Sequence, residues 1–163
     1  MRLNRLVPFT ELIAQCGHVP SVDPQAEAVR GAGDDEAEAL GIDPGTACLV
    51  VERLLRAGGS PVIDVTDVVP LDRLAVAPAD VAHADSTFAF LEAHGTDPVD
   101  YATTEFIPRT ATTATPAGLE LDAGTPYIEL LETHFSREHE RIAVSRIAVD
   151  DSLVRFSLLR REI

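Results

Sequence analysis

The chain has 163 residues, 45% hydrophobic and 25% charged, which suits one domain with an ordinary core. Its 27 acidic residues against 13 basic ones leave a net charge of −14, and so acidic a surface repels phosphate backbones and argues against direct nucleic-acid binding. No apolar run approaches the roughly 18 residues of a membrane span, and MRLNRLVPFTELI lacks the apolar core and cleavage site of a signal peptide, so a cytoplasmic location is expected.

In chain order, PFTELIAQCG (8–17) predicts a short helix, with Pro8 and Thr10 at its start and Gly17 as its stop. VPSVDPQAEAVR (19–30) reads as an irregular or edge strand because of Pro20 and Pro24. DDEAEALG (34–41) is a second helix with its acids in the first turn, where the helix dipole favours them. DPGT (43–46) is a turn, CLVVERLL (48–55) a strand, RAGGS (56–60) a hairpin loop and PVIDVTDVVP (61–70) the return strand. In that return strand Ile63 and Val65 alternate with Asp64 and Thr66, giving one buried and one wetter face.

LDRLAVAPADV (71–81) contains at most a helical turn, whereas DSTFAFLEAHG (85–95) is a helix that Asp85 or Ser86 can cap. VDYATTEFIPRTATT (99–113) predicts a strand and TPAGLEL (115–121) one helical turn. DAGT (122–125) is a turn, PYIELLETHF (126–135) a strand, SREHE (136–140) a loop and RIAVSRIAV (141–149) a return strand. LVRFSLLRRE (153–162) is expected as a closing strand.

Two stretches say nearly the same thing. Leu40, Ile42, Asp43, Gly45 and Thr46 recur as Leu119, Leu121, Asp122, Gly124 and Thr125, at a constant offset (119 − 40 = 79). The alternative is chance similarity between two hairpins that draw on few turn residues. Taken as a repeat, the unit is a short helix, a tight turn, a strand and a hairpin back to a second strand. Two such units imply an α+β fold, an antiparallel sheet with helices packed on one side.

Motifs for chemistry are scarce. GxGxxG, Walker-type, HExxH and Gly-x-Ser-x-Gly patterns are all missing. His134 and His139 flank a loop with Glu132, Glu138 and Glu140, but their spacing fits no usual metal site, so a solvated loop is the plainer reading and neither metal nor cofactor is expected. Thr103, Thr104 and Glu105 line either a pocket or a solvated sheet face. Cys16 and Cys48 are not spaced for a redox motif, and Cys48, opening CLVV, reads as a small buried hydrophobe.

The repeated phrase carries a family resemblance. LGIDPGTACLVVERLLRAGGSPVIDVTDVVP resembles the first hairpin of the UTRA domain, the effector-binding domain of HutC-type regulators in the GntR family. The matching residues are Leu40, Gly41, Gly45, Thr46, Arg53, Gly59, Pro61 and Pro70. PFTELIAQCGHVPS and the closing half, LELDAGTPYIELLETHF onward, resemble that family's entry segment and second hairpin. The resemblance implies a chorismate lyase-like fold over residues 1–163, a small-molecule effector, a homodimer, and DNA contact only through an attached or partner winged helix-turn-helix. That module is expected to lie outside this chain, which begins where the family's linker would end. The chain is then either an excised effector domain or a stand-alone protein.

The resemblance also nominates a pocket: Phe9, Thr10, Arg53, Leu55, Val65, Ser86 and Phe88. Phe9, Thr10, Arg53 and Ser86 match its anion-holding end. Leu55 stands where a second arginine is usual, Phe88 where a tyrosine is, and Val65 where a glutamate holds a sugar; Ala143 and Val149 fall at the corresponding polar positions of the second hairpin. The expected ligand is therefore an anion with an apolar body, gripped in bidentate fashion by Arg53, rather than a phosphosugar. Two alternatives are a chorismate pyruvate-lyase-like enzyme and a dimerisation module whose pocket has closed.

Overall fold

A computed structural model describes residues 7–113 and 117–157. Helix α1 spans Phe9–Gln15, followed by strands β1 (Pro20–Val22) and β2 (Ala26–Gly31) and helix α2 (Asp34–Leu40). The first long hairpin is β3 (Ala47–Ala57) and β4 (Ser60–Pro70). Helix α3 (Thr87–His94) leads to β5 (Tyr101–Thr110), a short 3₁₀ turn at Ala117–Leu119, and the second hairpin, β6 (Pro126–Phe135) with β7 (Arg141–Val149).

These strands form one antiparallel sheet in the order β1-β3-β4-β7-β6-β5, with β2 beside β1 on the same edge of β3. The two halves are related by an approximate twofold axis that runs between β4 and β7. The repeat is structural. Ala32 N–H donates to Thr46 O and Gly45 N–H donates to Ala32 O, both at 2.9 Å, and 79 positions on Ala111 N–H donates to Thr125 O and Gly124 N–H to Ala111 O, both at 2.8 Å. Gly45 and Gly124 hold φ of 83° and 89°, a conformation that glycine adopts without a steric cost. A β-bulge falls between Leu55 and Arg56 in one hairpin and between His134 and Phe135 in the other, again 79 positions on (134 − 55 = 79). Chance similarity does not reproduce hydrogen bonds and bulges at one offset.

The first hairpin is tighter than expected. Its loop is Gly58-Gly59 alone, both at positive φ (57° and 88°), the geometry of a two-residue turn between twisted strands. The predicted helices and the strands from 19 to 149 all form, although 19–30 divides into β1 and β2. The expected closing strand does not extend over its described part: residues 151–153 turn, 154–156 have no regular structure, and 158–162 lie outside the described residues.

The placement of the helices also differs from expectation, because they cover both faces of the sheet. On one face Leu55, Val65, Leu130 and Ile147 pack with Ile13 of α1, and Leu49, Val51 and Val69 pack with Phe90 and Leu91 of α3. On the other, Cys48, Val50, Val68 and Val144 pack with Ala37 and Leu40 of α2. Central strands buried on both sides read as continuous apolar runs, as CLVV does, and each fully buried aliphatic contributes about 1.5–3 kcal/mol. The two halves exchange cover: α2 of the first packs on β7 of the second, and the 117–119 turn of the second packs on β4 of the first.

Gly31 marks a close approach. A Cβ placed there would stand 2.9 Å from Gly45 Cα and 3.0 Å from Gly45 O, both backbone atoms that cannot swing aside. Gly31→Ala should therefore cost about 1–3 kcal/mol in urea unfolding; a change within 0.5 kcal/mol, about what an ordinary surface substitution gives, would contradict the contact.

Candidate functional site

On the face that carries α1 and α3, strand register lines up a row of polar side chains. Asp67 on β4 lies opposite Ser145 on β7, Ser145 opposite Glu132 on β6, and Glu132 opposite Thr104 on β5. Arg53 on β3 lies opposite Val65, two positions from Asp67 on the same face. Arg53 and Asp67 are both buried, and their side chains form an ion pair between Nη1 and Oδ2. Arg53 Nε also donates to Ala84 O at 2.6 Å, and its guanidinium lies 5.7 Å from the Phe90 ring centre.

Asp67 is satisfied on several sides. It accepts from Thr87 Oγ1 at 2.8 and 3.0 Å and from Ser145 Oγ at 2.6 Å. Since the Ser145 hydroxyl proton goes to Asp67, the serine oxygen accepts from His134 Nε2 at 2.9 Å. His134 is then the Nε2–H tautomer. Burial pushes its pKa below the ordinary histidine value, against the opposing pull of Glu132 and Asp67, so it is neutral at pH 7. Glu132 accepts at Oε2 from Thr104 Oγ1 at 2.8 Å. Among the described residues two buried polar atoms have no partner, Arg53 Nη2 and His134 Nδ1.

A narrow cleft lies above this row. Its floor is Arg53, Leu55, Val65 and Glu132; one wall is Pro8 and Phe9 at the start of α1, and the other is Asp85–Phe88 at the start of α3. Phe88 packs edge-on against the His134 ring at 5.6 Å, and Ser86 caps α3 by accepting from Ala89 N–H at 3.1 Å.

Six of the seven nominated residues line this cleft: Phe9, Arg53, Leu55, Val65, Ser86 and Phe88. Thr10 does not, and Ala143 and Val149 are buried in the core away from it. Two expectations need correction. Arg53 does not face the cleft with its whole fork, because Nε and Nη1 already donate to Ala84 and Asp67, and Nη2 is its one nitrogen without a partner among the described residues. The second-hairpin side is not wholly apolar, because Glu132 lines it. The partners of Arg53 were missed, yet Asp67 extends the Ile63–Val65 alternation by one step and so belonged to the buried face.

Elsewhere, His139 accepts or donates one hydrogen bond with the Tyr101 hydroxyl at 2.9 Å, and no group of three or more His, Cys, Asp and Glu among the described residues is arranged to hold a metal. Thr103 and Glu105 lie on the exposed part of β5 while Thr104 turns to Glu132. No described helix is long and apolar enough to cross a membrane.

The model of the UTRA domain matches residues 11–152. The chain belongs to the UTRA domain family. Solved structures with the same fold include the effector domain of PhnF from Mycobacterium smegmatis, at TM-score 0.83 and 20% identity over 99% of both chains. Against the longer PhnF chain the TM-score is again 0.83, with 20% identity over 97% of this UTRA domain and 70% of that chain. The ligand-binding domain of a proposed GntR-family transcriptional regulator from Bordetella bronchiseptica matches at TM-score 0.72 and 13% identity, over 88% of this chain and 90% of that one. No curated protein sequence matches. At these identities the structural likenesses establish the fold of this UTRA domain, and its cleft chemistry rests on its own residues.

Removing one partner of the Arg53–Asp67 pair strands a buried charge. Asp67→Asn should cost about 3–5 kcal/mol in denaturant unfolding, and Asp67→Asn with Arg53→Met should recover most of that loss. His134 supplies a pH signature. Its unfolded form takes up a proton below about pH 6.5 while the folded form resists, so stability from His134 is lost as pH falls below that value. Asp64, on the other face, has the opposite slope, since burial and then Glu52 push its pKa up to about 6. The quantity to measure is therefore the difference in unfolding free energy between the wild type and His134→Gln, which should shrink as pH drops from 7 to 5.

Proposed function

We propose that this chain is the effector-sensing domain of a GntR-type transcription regulator and not an enzyme, with a small ligand that carries an acceptor group on an apolar body. The observation that supports this most directly is Arg53 Nη2, a buried donor without a partner among the described residues, on the floor of a cleft to which Pro8, Phe9, Leu55, Val65 and Phe88 give apolar surface. An unmet buried donor costs about 1–3 kcal/mol, which a bound acceptor returns. A carboxylate suits that nitrogen. A phosphate dianion suits it less, because Arg53 is already neutralised by Asp67 and the carboxyl groups of Asp85 and Glu132 also line the cleft.

Pro8 and Phe9 give the site its route outward. They line the cleft and begin α1, the helix nearest the N-terminal segment, so a ligand that holds them bears on whatever module is joined there. In this reading the protein acts in the cytoplasm as a homodimer of the HutC type, and a winged helix-turn-helix, attached or partnered, makes the DNA contact that this acidic domain disfavours. A lyase acting on a dicarboxylate needs convergent arginines, and Arg53 is the sole arginine among the described lining residues.

A thermal-shift screen tests the reading. Small carboxylates on apolar bodies should include a compound that raises Tm by about 5–10 °C at a hundredfold excess over its Kd. Stabilisation by glucosamine 6-phosphate, with none by any apolar carboxylate, would overturn the ligand assignment.

A further inference from the structure

The cleft floor lies on the approximate twofold axis, and the two halves have diverged there. Arg53 and Glu132 occupy the same place in their respective hairpins (132 − 53 = 79), two residues before the matching bulges. One half supplies a cation and the other an anion, and both line the cleft. Each keeps unused bonding capacity. Arg53, 3% exposed, has Nη2 free. Glu132 accepts from Thr104 at Oε2, but Oε1 receives no hydrogen bond among the described residues: the nearby N–H, His134 Nε2, is 3.6 Å away and donates to Ser145 instead.

Charge leads to the same place. Arg53 and Asp67 cancel, and neutral His134 leaves Glu132 without a cation among the described residues. A ligand that is only an anion brings its charge beside Glu132. A ligand that is only a cation leaves Arg53 Nη2 unmet. Building on the sensing role proposed above, we propose that the effector is amphoteric, a compact amino acid-like molecule. Its carboxylate accepts from Arg53 Nη2, its ammonium donates to Glu132 Oε1, and its apolar body packs on Leu55, Val65 and Phe88. The narrow cleft favours a compact ligand.

Calorimetry with matched probes tests this on the whole chain. L-leucine, 4-aminobutanoate and 6-aminohexanoate sample different spacings of the two charges; 4-methylpentanoate, hexanoate and isoamylamine carry one charge each. At least one amphoteric probe should bind tenfold or more tightly than its acid and amine counterparts. Glu132→Gln, which keeps an amide oxygen for Thr104, should erase that advantage while the acids bind as well as before or better. The inference is overturned if a simple acid binds as tightly as every amphoteric probe, if no amphoteric probe binds, or if Glu132→Gln leaves the ratio unchanged in a protein of unaltered Tm. Binding by an acid alone would still leave the sensing role standing, whereas stabilisation by glucosamine 6-phosphate alone would remove both.

Discussion

A buried ion pair between Arg53 and Asp67 sits where the two halves of the sheet meet, and most of the site's geometry follows from it. Two charges taken out of water must be surrounded by hydrogen bonds, and Ala84 O, Thr87 and Ser145 supply them. Thr87 is the first residue of α3, so the pair anchors that helix to the sheet. Ala84 O does the same for the chain just before it. The wall of the cleft is thus held by the charge that also forms its floor. Substituting Asp67 would not merely remove an acid; it would release the helix start that lines the cleft.

The cover on the two faces of the sheet serves a different end. On one side α2 and the 117–119 turn pack across to the opposite half, tying the repeats together by exchange rather than by the β4–β7 seam alone. On the other, α1 and α3 stand apart enough to leave a cleft between their first turns. Both helices present their N-terminal ends to it. One is tied through Thr87 to the ion pair; α1 has no hydrogen bond of that kind to the floor, and Phe9 holds it by packing. The start of α1 is therefore held to the floor by packing alone among the described residues, and that of α3 by hydrogen bonds as well.

What was legible in the sequence divides along the same physical line. Turns were legible because their chemistry is local: Gly45, Gly124 and the Gly58-Gly59 pair need backbone angles that few other residues adopt. Arg53, Leu55 and Val65 were found through resemblance to a family, and they do meet in one cleft. The partners were not found. Asp67 lies 14 positions from Arg53, and Ser145 and Glu132 lie further still; only strand register brings them into one row. Two clues were available. An aspartate inside an apolar return strand, on the buried phase of the alternation, is rare without a partner. The continuous run CLVV also signalled burial on both faces, against the expectation of helices on one side.

The near-symmetry of the floor has an evolutionary corollary. Two identical subunits meeting about a true dyad would have to place the same residue at both positions, two arginines or two glutamates. Like charges at one desolvated spot repel. Within one chain each half can differ, and Arg53 against Glu132 is such a difference: it leaves the cleft with one basic and one acidic side.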